Sequence, residues 1–524
     1  MGCRRTEGQM LVFALLLVLV FVPGCRQQSA VKGPEGPIKV VVSLAGDPPS
    51  LDGHDNTLVT GRHILPLVYD RLVRLDKDVK PVPQLAKDWD VSADGLTWTF
   101  RLREGHLFHD GTPVTAEAVK LSFERLLNPE NPFIRRSLFA AIESIADVGQ
   151  YTVVFKLKNR SPFFLNILAD ETASIVSPTA AADLKTFAGN PVGSGLYVFK
   201  EWVRGTSIVL EKNPGHWEAD KTNVDIIEFR VIPEDLSRAI GLETGELDIV
   251  PIIDPFEANR LSKSPEFVAL NLPRLRLLAI MGHQHKQPFD DVRVRQAITH
   301  AIDRQALVDT FMHGFAMVAD SALPRGFYSY RSQQPAFNYD PSKARRLLAD
   351  AGYPNGLATK LLVPVGQIPG IEAIAEAVQG MLLEVGIRAE LDIMEHAAWL
   401  ARIRQAPEVM AYDLTFYTWA AATGEPDYAL RLPFHSSEWA PRSSNRNFYS
   451  NPAVDAALDA GRTALTDAER VAAYQKAQEL LWADQAWTFL WSFTHSAVVR
   501  KGIKGVELLP TDQYYLRYLW VETR

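Results

Sequence analysis

The sequence predicts an α/β protein of two or three domains. Three observations carry that reading: a length of 524 residues with 47% hydrophobic content, short apolar runs rich in β-branched residues, and amphipathic helical patterns that alternate with those runs. A chain of this length exceeds what one hydrophobic core supports. Charged residues make up 22% and are scattered, with no block of like charge and no repeat at a period of roughly 20–50 residues.

Taken in chain order, Arg4 and Arg5 precede an unbroken apolar run from Met10 to Val22, followed by Pro23, Gly24 and Cys25. The run is too short to span a bilayer, and its basic leader and small residue at the end describe a secretory signal peptide over residues 1–24. The V-P-G-C sequence resembles a lipobox, which makes Cys25 the expected lipid anchor. Two or three acyl chains, at roughly 0.8 kcal/mol per buried CH₂, hold a protein stably on a membrane. Residues 25–37 are polar with Gly and Pro and suit a tether. Removal of residues 1–24 takes away Arg4, Arg5 and Glu7, and the net charge passes from −7 to −8. An acidic surface argues against nucleic acid as a partner. Cys3 and Cys25 are the only cysteines, so the folded part can form neither a disulfide nor a Cys-ligated metal site.

Ile38–Leu44 reads as a buried strand, and Leu96–Arg103 and Tyr151–Lys158 alternate as half-buried strands. Between them VTAEAVKLSFERLL reads as a helix, N-capped by Thr115 and with Glu117 in its first turn. The second half is more helical. In Asp291–Phe311, apolar Val294, Ala297, Ile298, Ala301, Ile302, Val308 and Phe311 recur at helical steps. DPSKARRLLADAG places Pro341 at a first helical position and Gly352 at the stop. Thr466 and Glu469 offer a capping box before another helix. KLLVPV, IRAELDIM and WTFLWSF are strand-like runs between these helices.

Catalytic and cofactor motifs are weak. PVGSGLYVF (Pro191–Phe199) lacks the spacing of a phosphate loop and reads as a turn. His106, His109 and Asp110 in HLFHDG are close enough to suggest metal ligands, but Asp110-Gly111 is a turn signal ahead of a helix cap, and the structural reading is preferred. His283 and His285 have no evident third ligand. HExxH and GxSxG are absent. Ser29–Lys32 matches SxxK but lies in the tether.

At LAKDWDVSADGLTWTFRLREGHLFHDGTPVTAEAVKLSFERLLNP (Leu85–Pro129) the chain resembles the signature region of the family 5 extracellular solute-binding proteins, receptors of dipeptide, oligopeptide, nickel and glutathione ABC importers. The resemblance continues through NPVGSGLYVFKEW, KQPFDDVRVRQAITHAIDRQALV, YDPSKARRLLADAGYPNG and FYSNPAVDAALDAGRTALTDAERVAAYQKAQELLWADQAW. It implies a two-lobed periplasmic-binding-protein fold of type II. Lobe I is expected over 38–278 with an extra subdomain at about 76–187, lobe II over 279–491, and 492–524 returns to lobe I. It implies a monomer that is not an enzyme and needs no cofactor. A bridging ligand shifts the population toward the closed form, which docks on the permease. Moving that equilibrium from 1:99 to 99:1 takes about 5.5 kcal/mol.

The stretch WAAATGEPDYAL (Trp419–Leu430) carries the ligand reading. In the family's dipeptide and oligopeptide receptors an Asp three residues after the Trp holds the peptide's ammonium, whereas here Ala422 occupies that position. A buried ammonium without its partner costs roughly 3–5 kcal/mol, so ordinary peptides are expected to bind poorly unless Glu425 or Asp427 substitutes; both equally suit turn-forming and capping roles. Glutathione-binding members resemble this segment closely, and the likeness extends into SSEWAPRSSNRNFYSNP. Glutathione brings two carboxylates and so calls for guanidinium or backbone N–H donors, with Arg274, Arg276, Arg402, Arg404 and Arg431 available. The resemblance further implies a cleft lined by Pro49, Ser50, Leu51, Tyr417, Thr418, Trp419, Ala420 and Thr423. The expectation is a lipid-anchored, extracytoplasmic receptor for glutathione or a similar short peptide. The alternatives are another oligopeptide, an amino-acid conjugate or a nickel chelate, for which His283, His285 and His435 are the support. A hydrolase or a structural lipoprotein is disfavoured by the missing nucleophile motifs.

Overall fold

Two long antiparallel strands, Phe267–Gly282 and Thr488–Arg500, form the spine of the computed structural model. It describes residues 36–522 apart from 56–58, 78, 162, 366, 367, 369, 421–423, 465, 512 and 513. Around the spine an 11-stranded sheet runs in the order Ile387–Glu395, Leu357–Val365, Leu414–Ala420, the two spine strands, Ile249–Val250, Lys39–Leu44, Ile226–Val231, Ser207–Lys212 and Tyr197–Val203. Ala316–Val318 adds to the Thr488–Arg500 strand. The spine ladder loses register between Pro273 and Leu277, because proline supplies no ladder N–H. On one side of this break Phe267–Pro273 pairs with Thr494–Arg500; on the other, Leu277–Ile280 pairs with Thr488–Ser492.

Each half of the sheet has its own apolar core. Val40, Val42, Leu210, Ile227 and Phe229 pack in one half. Leu278, Ile280, Leu361, Val363, Leu414 and Phe416 pack in the other. The protein is therefore two-lobed and α/β, with mixed parallel and antiparallel pairing. Lobe I also carries a separate four-stranded antiparallel sheet, Ala86–Val91, Thr97–Leu102, Thr152–Leu157 and Ile142–Asp147 in that order, whose core of Phe100, Phe123, Phe155 and Leu157 is covered by helix Ala116–Leu127.

Local signals in the sequence carry through to the structure. Thr115 caps that helix by accepting from the Ala118 N–H at 3.2 Å, and Thr466 with Glu469 forms a full capping box on Asp467–Ala483. Pro341 opens helix Pro341–Asp350, and Gly352 follows it with φ +96°, the left-handed stop that glycine provides. The single periodic stretch Asp291–Phe311 resolves into two helices, Val292–Ala301 and Arg304–Phe311, because the Asp303 side chain accepts from the Ala306 N–H and starts a second cap. In the Pro191–Phe199 turn, a Cβ on Gly193 would lie 2.1 Å from the Val68 carbonyl oxygen and one on Gly195 2.3 Å from that of Leu67. These glycines serve backbone packing, not phosphate.

One buried carboxylate locks the C-terminal segment to lobe I. Asp70, fully buried, accepts from Arg517 Nη2 at 2.7 Å, Gln84 Nε2 at 2.7 Å, Ser194 Oγ at 3.2 Å and His216 Nε2 at 3.2 Å. Arg517 also donates to Glu218 at 2.9 Å and to the Pro66 carbonyl at 3.2 Å. Burial raises the Asp70 carboxyl, but Arg517 and His216 outweigh it and hold it well below the usual range. Removing one partner of such a buried pair strands the other charge. Arg517→Met is expected to lower stability by about 3–5 kcal/mol, read as a drop in the urea midpoint; a loss below about 1 kcal/mol would show that the pair is not the lock.

Candidate functional site: the inter-lobe wall around Trp419

Strand Leu414–Ala420 runs antiparallel to the first spine strand, with Leu277 opposite Trp419, Leu278 opposite Thr418 and Arg276 opposite Ala420. Side chains alternate between the two faces of a strand. Tyr417 and Trp419 therefore share a face with Leu275 and Leu277, whereas Thr418 shares the other with Arg276, which donates to Thr418 Oγ1 at 3.1 Å and lies 5.6 Å from the Phe493 ring centroid. Sequence reasoning grouped Arg276 with Trp419. Strand parity separates them.

Trp419 is half-buried in an aromatic column. Its ring stacks on Tyr417 at 6.4 Å and on Tyr428 at 5.7 Å, with interplanar angles of 14° and 13°. The indole N–H donates to the Ala429 carbonyl at 2.9 Å, so strand and following helix, Pro426–Phe434, are pinned together. Ala420 is exposed at the strand end. Ala422 and Thr423 lie outside the described residues. Gly424 resumes the chain with φ +70°, and a Cβ there would meet Val79 at 2.4 Å and Thr511 at 3.5 Å. Val79 and Thr511 belong to the lobe I side, so this is where the lobes touch.

Across from the column, lobe I presents a charged cluster that sequence reasoning missed. Arg62 donates to the Thr511 carbonyl at 3.1 Å and pairs with Glu171 at 2.9 Å. Arg135 pairs with Glu171 at 2.8 Å and Asp170 at 2.6 Å. Burial raises the Glu171 carboxyl, yet Arg62 and Arg135, with a smaller contribution from Arg71, bring it down to about 2. Two guanidinium groups thus engage two carboxylates, while Arg71, buried behind them, donates to the Ala169 carbonyl and the Tyr515 hydroxyl. Arg135 reaches electrostatically to the Tyr428 hydroxyl on lobe II. Nothing in the local pattern NPFIRRSLF distinguishes Arg135 from a surface arginine, which is why only tertiary structure finds it.

The two acids near Trp419 are already engaged. Asp427, expected to meet ligand, is 5% exposed and accepts from Arg431 Nε at 3.1 Å. That contact corrects its reading as a ligand group, because the helix closes it onto its own i+4 cation. Glu425 is 2% exposed and accepts from the Tyr328 hydroxyl at 3.0 Å. Burial, partly offset by Arg470, pushes its carboxyl up to about 7. Arg470 also borders a cavity of about 180 Å³ between Trp98 and Arg160 of the four-stranded subdomain and Thr466 of lobe II.

Other expected site residues fall in three places. Pro49 is exposed, but Ser50 and Leu51 are buried at 3% and 0%. Leu51 sits in the lobe I core, its N–H bound to the Ala188 carbonyl and its C=O to the Tyr69 hydroxyl. Its backbone is thus already used, which corrects its reading as a ligand contact. Arg274 is partly buried on the first spine strand, Arg402 pairs with Asp392 at 2.7 Å, and Arg404 is exposed. Cys25 lies outside the described residues.

Metal binding was weighed at the histidines. His283, His285 and His435 do not gather into a three-ligand group among the described residues; Asp70, His106 and His216 do. His216 Nδ1 accepts from the Glu218 N–H at 3.0 Å, and His106 Nε2 meets the Ser194 carbonyl at 2.9 Å. Both imidazoles therefore carry their proton on Nε2, His216 toward Asp70 and His106 toward the Ser194 carbonyl, and the Arg517 guanidinium already stands as the cation of the cluster. Donors, not metal ligands, surround that carboxylate. His109 likewise bonds the Gly195 carbonyl at 2.9 Å, and Asp110 accepts from Ser177 at 2.6 Å, the structural role expected of HLFHDG.

The pattern of bacterial extracellular solute-binding proteins, family 5, matches residues 80–441. The chain belongs to that family. It is 33% identical over 473 residues to the glutathione-binding protein GsiB of Pectobacterium atrosepticum, covering 90% of this chain and 91% of the relative. GsiB of Salmonella typhi is 32% identical over 473 residues, with 90% and 92% covered. Among solved structures, HbpA2 from Haemophilus parasuis superposes with a TM-score of 0.85 at 25% identity, covering 92% of this chain and 100% of that one. The binding protein DppA from Helicobacter pylori, in complex with the peptide STSA, gives 0.73 at 27% identity over 93% and 99%. The chain is thus a substrate-binding protein of the peptide-binding, ABC-importer type, and its family is one of extracytoplasmic solute receptors rather than of enzymes.

The raised Glu425 carboxyl makes a prediction. A carboxyl held at about 7 in the fold and 4.5 outside it keeps full stability below pH 4.5 and loses it as pH rises through 7. Glu425→Gln removes that loss. The variant is expected to match the parent at pH 4.5 and to exceed it by about 1–3 kcal/mol at pH 8, measured as melting temperature at both values; equal melting at pH 8 would refute the assignment.

Proposed function

We propose that the protein captures glutathione, or a similar short acidic peptide, between its lobes and delivers it to an ABC permease. The observation that carries this reading is the distribution of charged groups around Trp419: Glu425 and Asp427 are engaged by Tyr328 and Arg431, while the facing lobe offers the guanidinium donors of Arg62 and Arg135, held by Glu171 and Asp170. A dipeptide's ammonium lacks a ready counter-ion there, and a ligand with two carboxylates is favoured. The likeness to glutathione-binding relatives over 90% of the chain supports the same ligand.

The wider assignment is a monomer without catalytic activity. Residues 1–24 are its signal peptide, Cys25 its lipid anchor and 25–37 its tether. Lobe I spans 38–278 with the subdomain at about 76–187, lobe II spans 279–491, and 492–524 returns to lobe I. The register break of the spine ladder between Pro273 and Leu277 and the packing of Leu509 and Tyr515 into the subdomain core support this division.

Calorimetric titration of the chain from residue 26, stripped of carried ligand by unfolding and refolding, is expected to give micromolar or tighter binding of glutathione and none of Ala-Ala; the reverse order would overturn the ligand assignment. In the full chain, Cys25→Ser is expected to abolish incorporation of labelled palmitate and to release the protein from membranes, and retained label would remove the anchor.

A further inference from the structure

Seven arginines are buried among the described residues: Arg71, Arg238, Arg295, Arg304, Arg431, Arg446 and Arg517. Six have acceptors. Arg71, Arg238, Arg295 and Arg304 donate to backbone carbonyls, and Arg431 and Arg517 pair with carboxylates. Arg446 differs. It is 8% exposed, its Nε is buried without a hydrogen-bond partner, and its guanidinium lies over the Tyr417 ring at 5.4 Å from the centroid. A buried guanidinium whose Nε has no acceptor among the described residues is costly unless something else completes its shell.

The backbone around it is built to hold it there. Asn445, fully buried, donates to the carbonyls of His435 and Tyr449 at 3.1 and 2.8 Å. Asn447, also fully buried, donates to the Ala486 carbonyl at 3.0 Å. The Arg446 carbonyl accepts from the Tyr412 hydroxyl at 2.8 Å. Phe448 follows in the left-handed region at φ 59°, a strained conformation for a non-glycine residue that concentrates at ligand clamps. The side chain is thus aimed from a rigid turn at Tyr417, the first ring of the column that continues through Trp419 to Tyr428. Arg404, exposed nearby, adds positive potential at the Tyr417 hydroxyl.

We propose that Arg446 is the anion receptor of lobe II: a ligand carboxylate seats between its guanidinium and the Tyr417 hydroxyl, at the opposite end of the aromatic column from Arg135. The inference rests on the reading of the protein as a receptor for a short acidic peptide and names the residue that selects the acid. A two-ended site of this kind accommodates one carboxylate at Arg446 and the other toward lobe I, and it discriminates against ligands with only one.

The test compares the parent with Arg446→Gln and Arg446→Met. Glutathione affinity is expected to fall roughly 10- to 100-fold in both variants, the range for a lost hydrogen bond to a charged group, while the diethyl ester of glutathione binds parent and variants alike. An equal loss for acid and ester would make Arg446 a packing residue and overturn the proposal. A second measurement needs no assigned peptide: the melting temperature of the stripped proteins with and without glutarate. Arg446→Met is expected to melt at or above the parent without ligand, because the unpaired charge is gone, and to lose the upshift that glutarate gives the parent. Should glutathione fail to bind the parent, the ligand reading falls while the glutarate arm still decides on Arg446; a variant that melts lower without ligand and keeps the glutarate upshift would refute it.

Discussion

The Asp70 carboxylate is the constraint on which the site depends. By gathering Arg517, Gln84, Ser194 and His216 around one buried charge, it fixes the C-terminal segment against helix Val59–Val68 and the turn at Ser194. That segment carries Thr511, whose carbonyl holds Arg62 and whose methyl group meets Gly424 of the other lobe. The position of the lobe I guanidinium pair relative to the Trp419 column is therefore set by an ion pair whose members are 447 residues apart in sequence. Its donors saturate the carboxylate, so the cluster stores no spare coordination and serves architecture rather than chemistry.

The spine strands set the second geometric condition. They are the paired strands that run from one lobe into the other, and their ladder is broken at Pro273. A strand pair that stays hydrogen-bonded on both sides of an interruption transmits the position of each half while the interruption absorbs backbone change, as hinge segments do. On the column face, small residues bring the lobes together: Gly424 packs where any Cβ would strike Val79. Gly424 is thus clearance for the opposite lobe.

Charge within the site follows a consistent division. On lobe II the two acids beside Trp419 are engaged locally, Asp427 by Arg431 within one helix turn and Glu425 by a hydrogen bond from the Tyr328 hydroxyl. On lobe I Glu171 and Asp170 are bound by Arg62 and Arg135. Closing the lobes therefore brings an aromatic wall against guanidinium donors, and the low-dielectric gap between them strengthens their attraction for a ligand carboxylate. The aromatic rings add area for the apolar part of a ligand.

Much of this protein was legible in its sequence: the Thr115 and Thr466 caps, the Pro341 start, the structural role of HLFHDG, the two-lobed α/β class and the family. Those features are local, or are spread along the whole chain in order, and short-range chemistry specifies them. The site was legible only in outline. The period of a strand fixes that Tyr417 and Trp419 share a face, but not which face meets the other lobe, and it did not show that Arg276 points away. Arg62, Arg135 and Arg446 look like ordinary surface arginines in one dimension. Their roles come from partners distant in sequence, as with Arg62 and Thr511, 449 residues apart, or, for Arg446, from a buried Nε without a hydrogen-bond partner among the described residues, and the burial that makes a charge significant exists only once the chain has folded.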